Sequence, residues 1–515
     1  MEHSPRVVVI ELGSQYTLLI ARTLRELGVR SVILEPKRAL NWLKANSPKA
    51  IILSGGASSV YSDDAPTLPE EVLTLCREQN PRIAVLGICY GMQWLAHHLG
   101  GTVEAVLGNR EYGEATINLC DPIDGFFSDT PKNQKVWMSH GDSVVSIPEG
   151  FEVLARSDAD TIVAMRNGAV WGVQFHPEVT HTPYGKTMLA NFLRFAGCKN
   201  DWAPQSIVTS IREKAIADLI GKRAIFGFSG GVDSTTLLAI LAPVMGERLL
   251  AITIDGGQLR EGELEEIRRH AVAVNANLRV IDARQEFGDA MAGVIDAEEK
   301  RRRFKQIYQA LFVRAARNFG ADEDTVVLQG TLATDRIESG ATGGAVIKSH
   351  HNVGLDMGQL SQIHPIDFLF KYEVRSLAKE IGLPESIWNR QPSPGPGLFL
   401  RVVGVPATED KLEIVRWADA RVREILVNHG IYDQLSQLVV AYIGVNTVGV
   451  KGDARVYRGS IVVRAIETLD FMTAKGVWFP EDVVREIARV LSAHPEITRV
   501  WFDPTDKPPA TTEME

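Results

Sequence analysis

Cysteine is scarce in this chain. There are four in 515 residues, Cys76, Cys89, Cys120 and Cys198, and no two form a Cys-x-x-Cys pair. That pattern argues against a zinc module and against a disulfide framework. Long apolar runs are missing too. No stretch of 18 apolar residues occurs, so no membrane span is expected. The opening MEHSPRVVVI lacks the charged-then-apolar layout of a signal peptide, which makes the cytoplasm the expected location. Positive charge is not in excess: 55 Lys and Arg stand against 64 Asp and Glu, a formal net charge of -9. A general nucleic-acid binder needs a basic footprint, so no nucleic-acid partner is expected. A nucleotide site remains open, because clustered backbone N–H groups hold phosphates on an acidic protein. Internal repeats, low-complexity segments and long charge runs are absent as well.

What is present is an ordinary globular composition, 45% hydrophobic and 23% charged, in a length that suits about three domains. In the first third, strand and helix signals alternate. Residues 6–13 (RVVVIELG) read as a buried strand, 17–28 as a helix ending at glycine, and 50–53 as a strand running into Ser54-Gly55-Gly56. Residues 82–87 and 92–99 repeat the strand–helix pair. Such alternation predicts a parallel sheet wrapped by helices. Near Asn167-Gly168 the pattern turns into a hairpin. A break at 197–204 (GCKNDWAP) reads as a linker. The alternation then restarts, with strands at 224–228, 249–255 and 325–328 and helices at 235–241 and 263–274. The expected fold class is α/β: two doubly wound parallel-sheet domains, 1–200 and 201–390, followed by a smaller α+β region, 391–515, that opens near the proline-rich 391–397.

Three features of the first domain carry one chemistry. Gly87-Ile88-Cys89-Tyr90-Gly91 lies between a strand and a helix. Small residues around a nucleophile permit the sharp turn that lifts its side chain out of the fold, and the helix that follows aims its N-terminal dipole at the sulfur. In Gln174-Phe175-His176-Pro177-Glu178, a histidine two residues before a glutamate can act as base while the carboxylate orients it. The backbone N–H groups of Ser54-Gly55-Gly56, at a strand end, can form an oxyanion hole. Each alone is ordinary: a core cysteine, a surface pair, a turn. Together they resemble class I glutamine amidotransferases over about residues 6–196. The resemblance implies that Cys89 attacks the glutamine amide carbonyl, that His176 shuttles protons and that Glu178 orients His176. Gly56 and the Tyr90 amide would hold the oxyanion, with Gly55 beside them. Gln93, Ser139, His140 and Asp142 would line the glutamine pocket. Ala57 departs from the family's usual proline, which the backbone donors should tolerate.

The second site is Ser229-Gly230-Gly231-Val232-Asp233-Ser234, after the strand AIFGF and opening a helix. Glycines let the backbone curl around phosphate, and the helix N-terminus supplies free N–H donors. No lysine follows the glycines, which excludes a Walker A loop. A carboxylate beside phosphate repels it unless Mg²⁺ bridges the two, so Asp233 is a candidate metal ligand. The hexapeptide resembles the PP-loop of ATP pyrophosphatases, which cleave ATP between its α- and β-phosphates and transfer AMP to a carbonyl oxygen. Asp255 ends the next strand, where that family contacts the nucleotide.

Later segments narrow the resemblance: Gln329-Gly330-Thr331-Leu332, Asp335 with Ile337-Glu338-Ser339, residues 347–353 (IKSHHNV), Phe370-Lys371 with Glu373-Val374-Arg375, Pro394-Gly395-Pro396-Gly397-Leu398, Gly452-Asp453 with Arg455 and Tyr457, residues 470–474 (DFMTA) and residues 507–511 (KPPAT). From end to end the chain resembles the glutamine-hydrolysing GMP synthase family. The resemblance implies glutamine, ATP and XMP as substrates and Mg²⁺ as the ion. ATP would be held by Ser229–Ser234, Asp255, Gln329, Gly330 and the lid residue Lys348. Asp335 and Glu338 would join Asp233 at the metal, and Gly395, Gly397, Arg455, Lys507 and Glu513 would bind XMP. It also implies that the α+β region forms a homodimer. Departures from the family pattern cluster near the acceptor: Gln391 for histidine, Ser393 for phenylalanine, Asn446 for arginine, with further changes at Glu11-Leu12, Ala333-Thr334, Arg336, Thr512 and Met514. They leave two acceptors open, XMP or a related purine, with the same chemistry on either. A catalytically idle binding protein is disfavoured by the intact Cys89, His176, Glu178 and Ser229–Ser234.

Overall fold

A computed structural model describes residues 6–14, 16–78, 83–105, 111–120, 125–322, 324–333, 360–468, 474–507 and 509–515. They fall into two compact units, one ending at Ile207 and the other running from Val208 to Glu515.

The first unit is built on a nine-stranded sheet in the order β2-β1-β3-β4-β11-β10-β9-β6-β7. Its strands are β1 Val7–Ile10, β2 Ser31–Leu34, β3 Ala50–Leu53, β4 Ala84–Ile88, β6 Glu111–Leu119, β7 Asn133–His140, β9 Glu152–Ser157, β10 Ile162–Asn167 and β11 Val170–Val173; β5 Thr102–Ala105 pairs with β8 Asp142–Ser146 apart from it. The segments VVVI, AIIL and AVLGI are buried along their whole length. Apolar runs of that kind belong to parallel strands covered on both faces, and β2, β1, β3, β4 and β11 do pair in parallel. The expected hairpin is there: Asn167 faces Val170 across it, with Gly168 at φ +55°. It returns β11 alongside β4 at the nucleophile, where Cys89 N–H donates to the Val173 carbonyl at 2.7 Å.

The second unit starts with a parallel five-stranded sheet in the order β14-β13-β12-β15-β16: β12 Arg223–Gly227, β13 Leu249–Asp255, β14 Asn277–Asp282, β15 Thr325–Leu328 and β16 Ser361–Ile363. Its later part is a second sheet in which β17 Val402–Val403, β18 Gln437–Lys451, β19 Ala454–Glu467 and β20 Lys475–Gly476 follow in order, with β21 Ile497–Phe502 on β19. One hydrophobic core runs through both sheets. It joins Ile225, Ile252 and Phe287 to Phe399, Val440, Ile461 and Ile487. The boundary expected near residue 390 thus separates two sheets that share a core. Among the described residues no helix is long and apolar enough to cross a membrane.

Candidate active sites

The first site forms where β4 gives way to the helix Tyr90–His98. Cys89 sits at the junction with φ 53° and ψ -108°, a backbone that L-residues adopt at a cost. The neighbouring glycines make it possible. A Cβ on Gly87 would lie 2.4 Å from the Gly91 carbonyl oxygen, and one on Gly91 would lie 2.4 Å from that of Leu53. The sulfur is buried and points at the Ser139 carbonyl, 3.6 Å away. His176 Nδ1 donates to Glu178 Oε1 at 2.8 Å, with both side chains withdrawn from solvent. Nε2 is thereby left for Cys89, whose sulfur acts electrostatically on the ring.

Burial alone would lower the pKa of His176. The Glu178 carboxylate, the hydrogen bond to it and the Cys89 sulfur more than reverse that, and hold it well above its usual value. A protonated imidazole beside the sulfur is the proton donor that a leaving amide nitrogen requires.

Gly55 and Gly56 close the site from the end of β3. A Cβ on Gly55 would lie 3.1 Å from His176 Cε1, and one on Gly56 would lie 2.4 Å from the Leu12 carbonyl oxygen. Among the described residues no backbone acceptor takes the N–H of Gly56 or of Tyr90. Two such donors flanking a buried sulfur are what a tetrahedral oxyanion needs. The pocket corner between β7 and β8 is fastened from below. Gln93 Nε2 donates to the Asp142 carbonyl at 2.8 Å and to Gln174 Oε1 at 3.2 Å, and His140 Nδ1 lies 3.0 Å from the same carbonyl. Ser139, His140, Asp142 and Gln93 are therefore brought together with Cys89.

Two participants escaped sequence reasoning. The Tyr16 ring meets the His176 imidazole edge-on, with centroids 4.9 Å apart. Thr182 Oγ donates to the His176 carbonyl at 2.7 Å and accepts from Trp137 N–H at 3.0 Å. The Tyr16 contact crosses the fold, and Thr182, six residues past His176, belongs to no motif of its own.

In the second site, Gly230 at φ +68° turns the loop, and a Cβ there would lie 2.7 Å from Ile267 Cγ1. Ser229 Oγ accepts from Gly231 N–H, and Ser234 Oγ donates to the Gly231 carbonyl. Asp233 Oδ2 accepts from Lys371 Nζ at 2.5 Å, while its Oδ1 is buried without a hydrogen-bond partner among the described residues. Arg375, one turn beyond Lys371, faces the same carboxylate; burial lowers its pKa despite Asp233. His270 Nδ1 lies 3.0 Å from the Gly230 carbonyl, and Arg390 ion-pairs with Glu263 and reaches the Ser229 carbonyl. Lys371 and Arg375 were visible as a segment without a role; their spacing of four on a helix was the signal that they share a face.

Asp255 caps the following turn by accepting from Gly257 N–H at 3.0 Å. The Gly395–Gly397 loop docks onto that turn. Leu398 N–H donates to the Gln258 carbonyl at 3.0 Å, and a Cβ on Gly397 would lie 2.4 Å from that oxygen. The short turn Gly397–Arg401 then presents Arg401, which reaches Glu513 at 3.4 Å, while Gln437 Nε2 donates to Glu513 at 2.6 Å. Ser229–Ser234, Asp255, Gly395, Gly397 and Glu513 thus share one region. Gln329, at the end of β15, donates its N–H to the Ile363 carbonyl, and Gly330 follows in open space.

Arg455 is elsewhere. It pairs with Val450 at the tip of the β18–β19 hairpin, while Gln437 pairs with Ile466 at the base. Eleven residues separate Arg455 from Ile466, roughly 35 Å of strand. Within one chain Arg455 and Glu513 are not brought together. Lys507 is held by backbone pairing with Ala474. The tail around it is not a solvated strand: Arg464 donates to the carbonyls of Thr505, Thr511 and Thr512. Asp335, Glu338 and Lys348 lie outside the described residues.

The fold and the Cys89 geometry define a class I glutamine amidotransferase unit joined to an α/β unit with a phosphate-type loop. Comparison with known families agrees. The glutamine amidotransferase class-I model matches residues 8–195, the arginosuccinate synthase N-terminal HUP domain model matches 223–321, and the GMP synthase C terminal domain model matches 424–514. Among curated relatives, GMP synthase [glutamine-hydrolyzing] of Thermobifida fusca is 44% identical, covering 99% of this chain and 98% of the relative. The proteins of the same name from Listeria innocua and Ligilactobacillus salivarius are each 41% identical, covering 99% and 100% of this chain and 98% and 99% of theirs. The chain belongs to the glutamine-hydrolysing GMP synthase family.

Proposed function

We propose that the chain converts XMP to GMP at the expense of glutamine and ATP. The Cys89–His176–Glu178 constellation, buried and with His176 already hydrogen-bonded to Glu178, carries this reading. Cys89 attacks the glutamine carbonyl, and the oxyanion accepts from the Gly56 and Tyr90 amides. His176 protonates the departing nitrogen, giving ammonia and a thioester. Water, deprotonated by His176, releases glutamate.

In the second unit, ATP's phosphates lie on the Ser229–Ser234 amides. The XMP C2 oxygen attacks the α-phosphorus and pyrophosphate leaves. Ammonia then displaces AMP from C2 to give GMP. The orphaned Asp233 Oδ1 suits a hard cation. Mg²⁺ there would neutralise phosphate charge, with Asp335 and Glu338 as further ligands on the resemblance and Lys348 closing over the phosphates. Lys371 and Arg375 add positive charge beside the same loop. Gly395, Gly397 and Glu513 contact XMP.

Arg455 lies at the far end of its hairpin from Glu513, and the exposed Val448, Val450 and Tyr457 give that end of the hairpin an apolar face. Both features fit a homodimer in which a second copy covers that face. The composition and the absence of a membrane-crossing helix among the described residues are compatible with a cytoplasmic enzyme that needs neither membrane nor nucleic acid.

Of the substitutions near the acceptor, Gln391 has a local explanation. Its side chain accepts from Leu438 N–H at 2.9 Å and donates to the Tyr432 and Leu435 carbonyls. It is committed to the fold, which removes one reason to look for another purine. Mass analysis of products from ATP, Mg²⁺, glutamine and either XMP or a related purine nucleotide tests the proposal. GMP, AMP and pyrophosphate in equal amounts are expected with XMP; glutamate without GMP would refute it.

A further inference from the structure

The two amides that receive the oxyanion sit on different elements, Gly56 on the loop after β3 and Tyr90 on the first residue of the nucleophile's helix. Their separation decides whether one oxygen can be reached by both. We propose that the Tyr90 side chain, assisted by Trp94, is a positioning device that fixes the Gly56 loop against the nucleophile's helix, an inference that rests on the glutaminase reading above.

Four observations converge. The Tyr90 ring lies so close to Gly56 that a Cβ there would come within 3.1 Å of Tyr90 Cγ. The Tyr90 hydroxyl donates to the Pro66 carbonyl at 2.7 Å. One turn on, Trp94 Nε1 donates to Thr67 Oγ at 3.0 Å. The anchored residues, Pro66 and Thr67, are consecutive and lie in the irregular stretch 54–70, which holds Gly56 near its start. Residues four apart share a helix face, so one face of the helix behind Cys89 holds the loop at two places: at Gly56 by ring packing, and at Pro66–Thr67 by two hydrogen bonds. Gly91 N–H, donating to the Ser54 carbonyl at 3.1 Å, ties the strand end to the same helix. Burial pushes the Tyr90 phenol up to about 12, so it remains a donor across the neutral range.

Neither ring touches the reacting atoms, which sets the expected signature. Loosening the clasp lets Gly56 drift from the place the oxyanion takes. That raises the barrier to thioester formation, while glutamine binding and the reactivity of the sulfur stay as they were.

The test uses Tyr90→Phe, which keeps the ring on Gly56 and removes only the hydroxyl, Thr67→Val, which removes the Trp94 acceptor, and the double variant, all in the full chain. Three quantities are read: kcat and KM for glutamine hydrolysis, the rate of Cys89 alkylation by iodoacetamide, and GMP synthesis from ammonium. The expected result is a kcat about 10-fold lower in Tyr90→Phe and lower still in the double variant, with KM and alkylation rate unchanged. An unaltered kcat in the double variant overturns the proposal. So does a parallel fall of kcat and alkylation, which would mean the nucleophile's turn itself had moved. If the unsubstituted chain makes GMP from ammonium yet hydrolyses no glutamine, the glutaminase reading falls and takes this inference with it.

Discussion

The two reaction sites are prepared in opposite ways. In the amidotransferase unit the catalytic side chains are one another's partners: Cys89 faces Ser139 and His176, and His176 holds Glu178 Oε1 at 2.8 Å, which leaves only Glu178 Oε2 without a hydrogen-bond partner among the described residues. In the second unit the phosphate loop is shaped, but its charges are paired with each other. Asp233 holds Lys371, and its other oxygen has no hydrogen-bond partner among the described residues. The difference follows from the chemistry. Attack by a side chain demands that nucleophile, base and orienting carboxylate be fixed in advance. Phosphoryl-type transfer is mostly charge neutralisation, and part of that charge arrives with the substrate and its ion. A self-sufficient site should therefore be sensitive to a single isosteric change, whereas a site completed by its ligands should lose strength in steps.

Glu178→Gln gives the sharpest break. The amide keeps the shape but removes the charge that holds the His176 proton, and glutamine hydrolysis should fall about 10⁴-fold, judged by the carboxylate of serine-protease triads. The same variant checks the electrostatics. The Glu178 carboxylate raises the His176 pKa, so losing it lowers that pKa, and the residual activity should decline at lower pH than in the parent. A pH profile that does not move would show that Glu178 acts by shape alone. Asp233→Ala should reduce pyrophosphate release about 10²-fold with glutamine or ammonium as nitrogen source, leaving glutamine hydrolysis in place; near-normal release would remove Asp233 from the phosphate site.

A third variant sharpens the comparison through stability. Asp419 is fully buried beside Arg260, Arg401 and Arg423. Burial alone would raise its carboxyl pKa, but the three guanidinium groups hold it below the usual range. Asp419→Ala strands those charges and should cost about 3–5 kcal/mol in denaturant unfolding of the second unit. The Cys89 alkylation rate should not change. The smallest effect is expected from Tyr16→Leu: a loss of a few-fold in glutamine hydrolysis, since an edge-on ring contact contributes only about 1 kcal/mol.

The sequence made the parallel strands legible because both of their faces are buried, so they read as unbroken apolar runs; β3, β13 and β15 coincide with the expected segments. The antiparallel half of the first sheet was less visible. In β7 the buried positions are Gln134, Val136, Met138 and His140. Two of those four are polar, which hides the alternation that marks a half-buried strand. The helix Ala297–Asn318 was masked by its charge, since its inward face carries Lys300, fully buried and bonded to the Val402 carbonyl and Glu515. The Cys89, His176 and Ser229–Ser234 motifs could be read because each is local. The Tyr16 contact, the Gln391 clamp and the Arg401–Glu513–Gln437 group join residues 41 to 160 positions apart, and no local pattern announces them. Arg455 was grouped with Glu513 by motif alone, and hairpin geometry separates them.

The account stands on the claim that nitrogen release and nitrogen transfer are distinct chemistries in distinct units. Measuring GMP formation by Cys89→Ala with glutamine and then with ammonium tests this most directly. The prediction is no GMP from glutamine and near-parental GMP from ammonium. Loss of synthesis from both sources would contradict the division of labour between the two units.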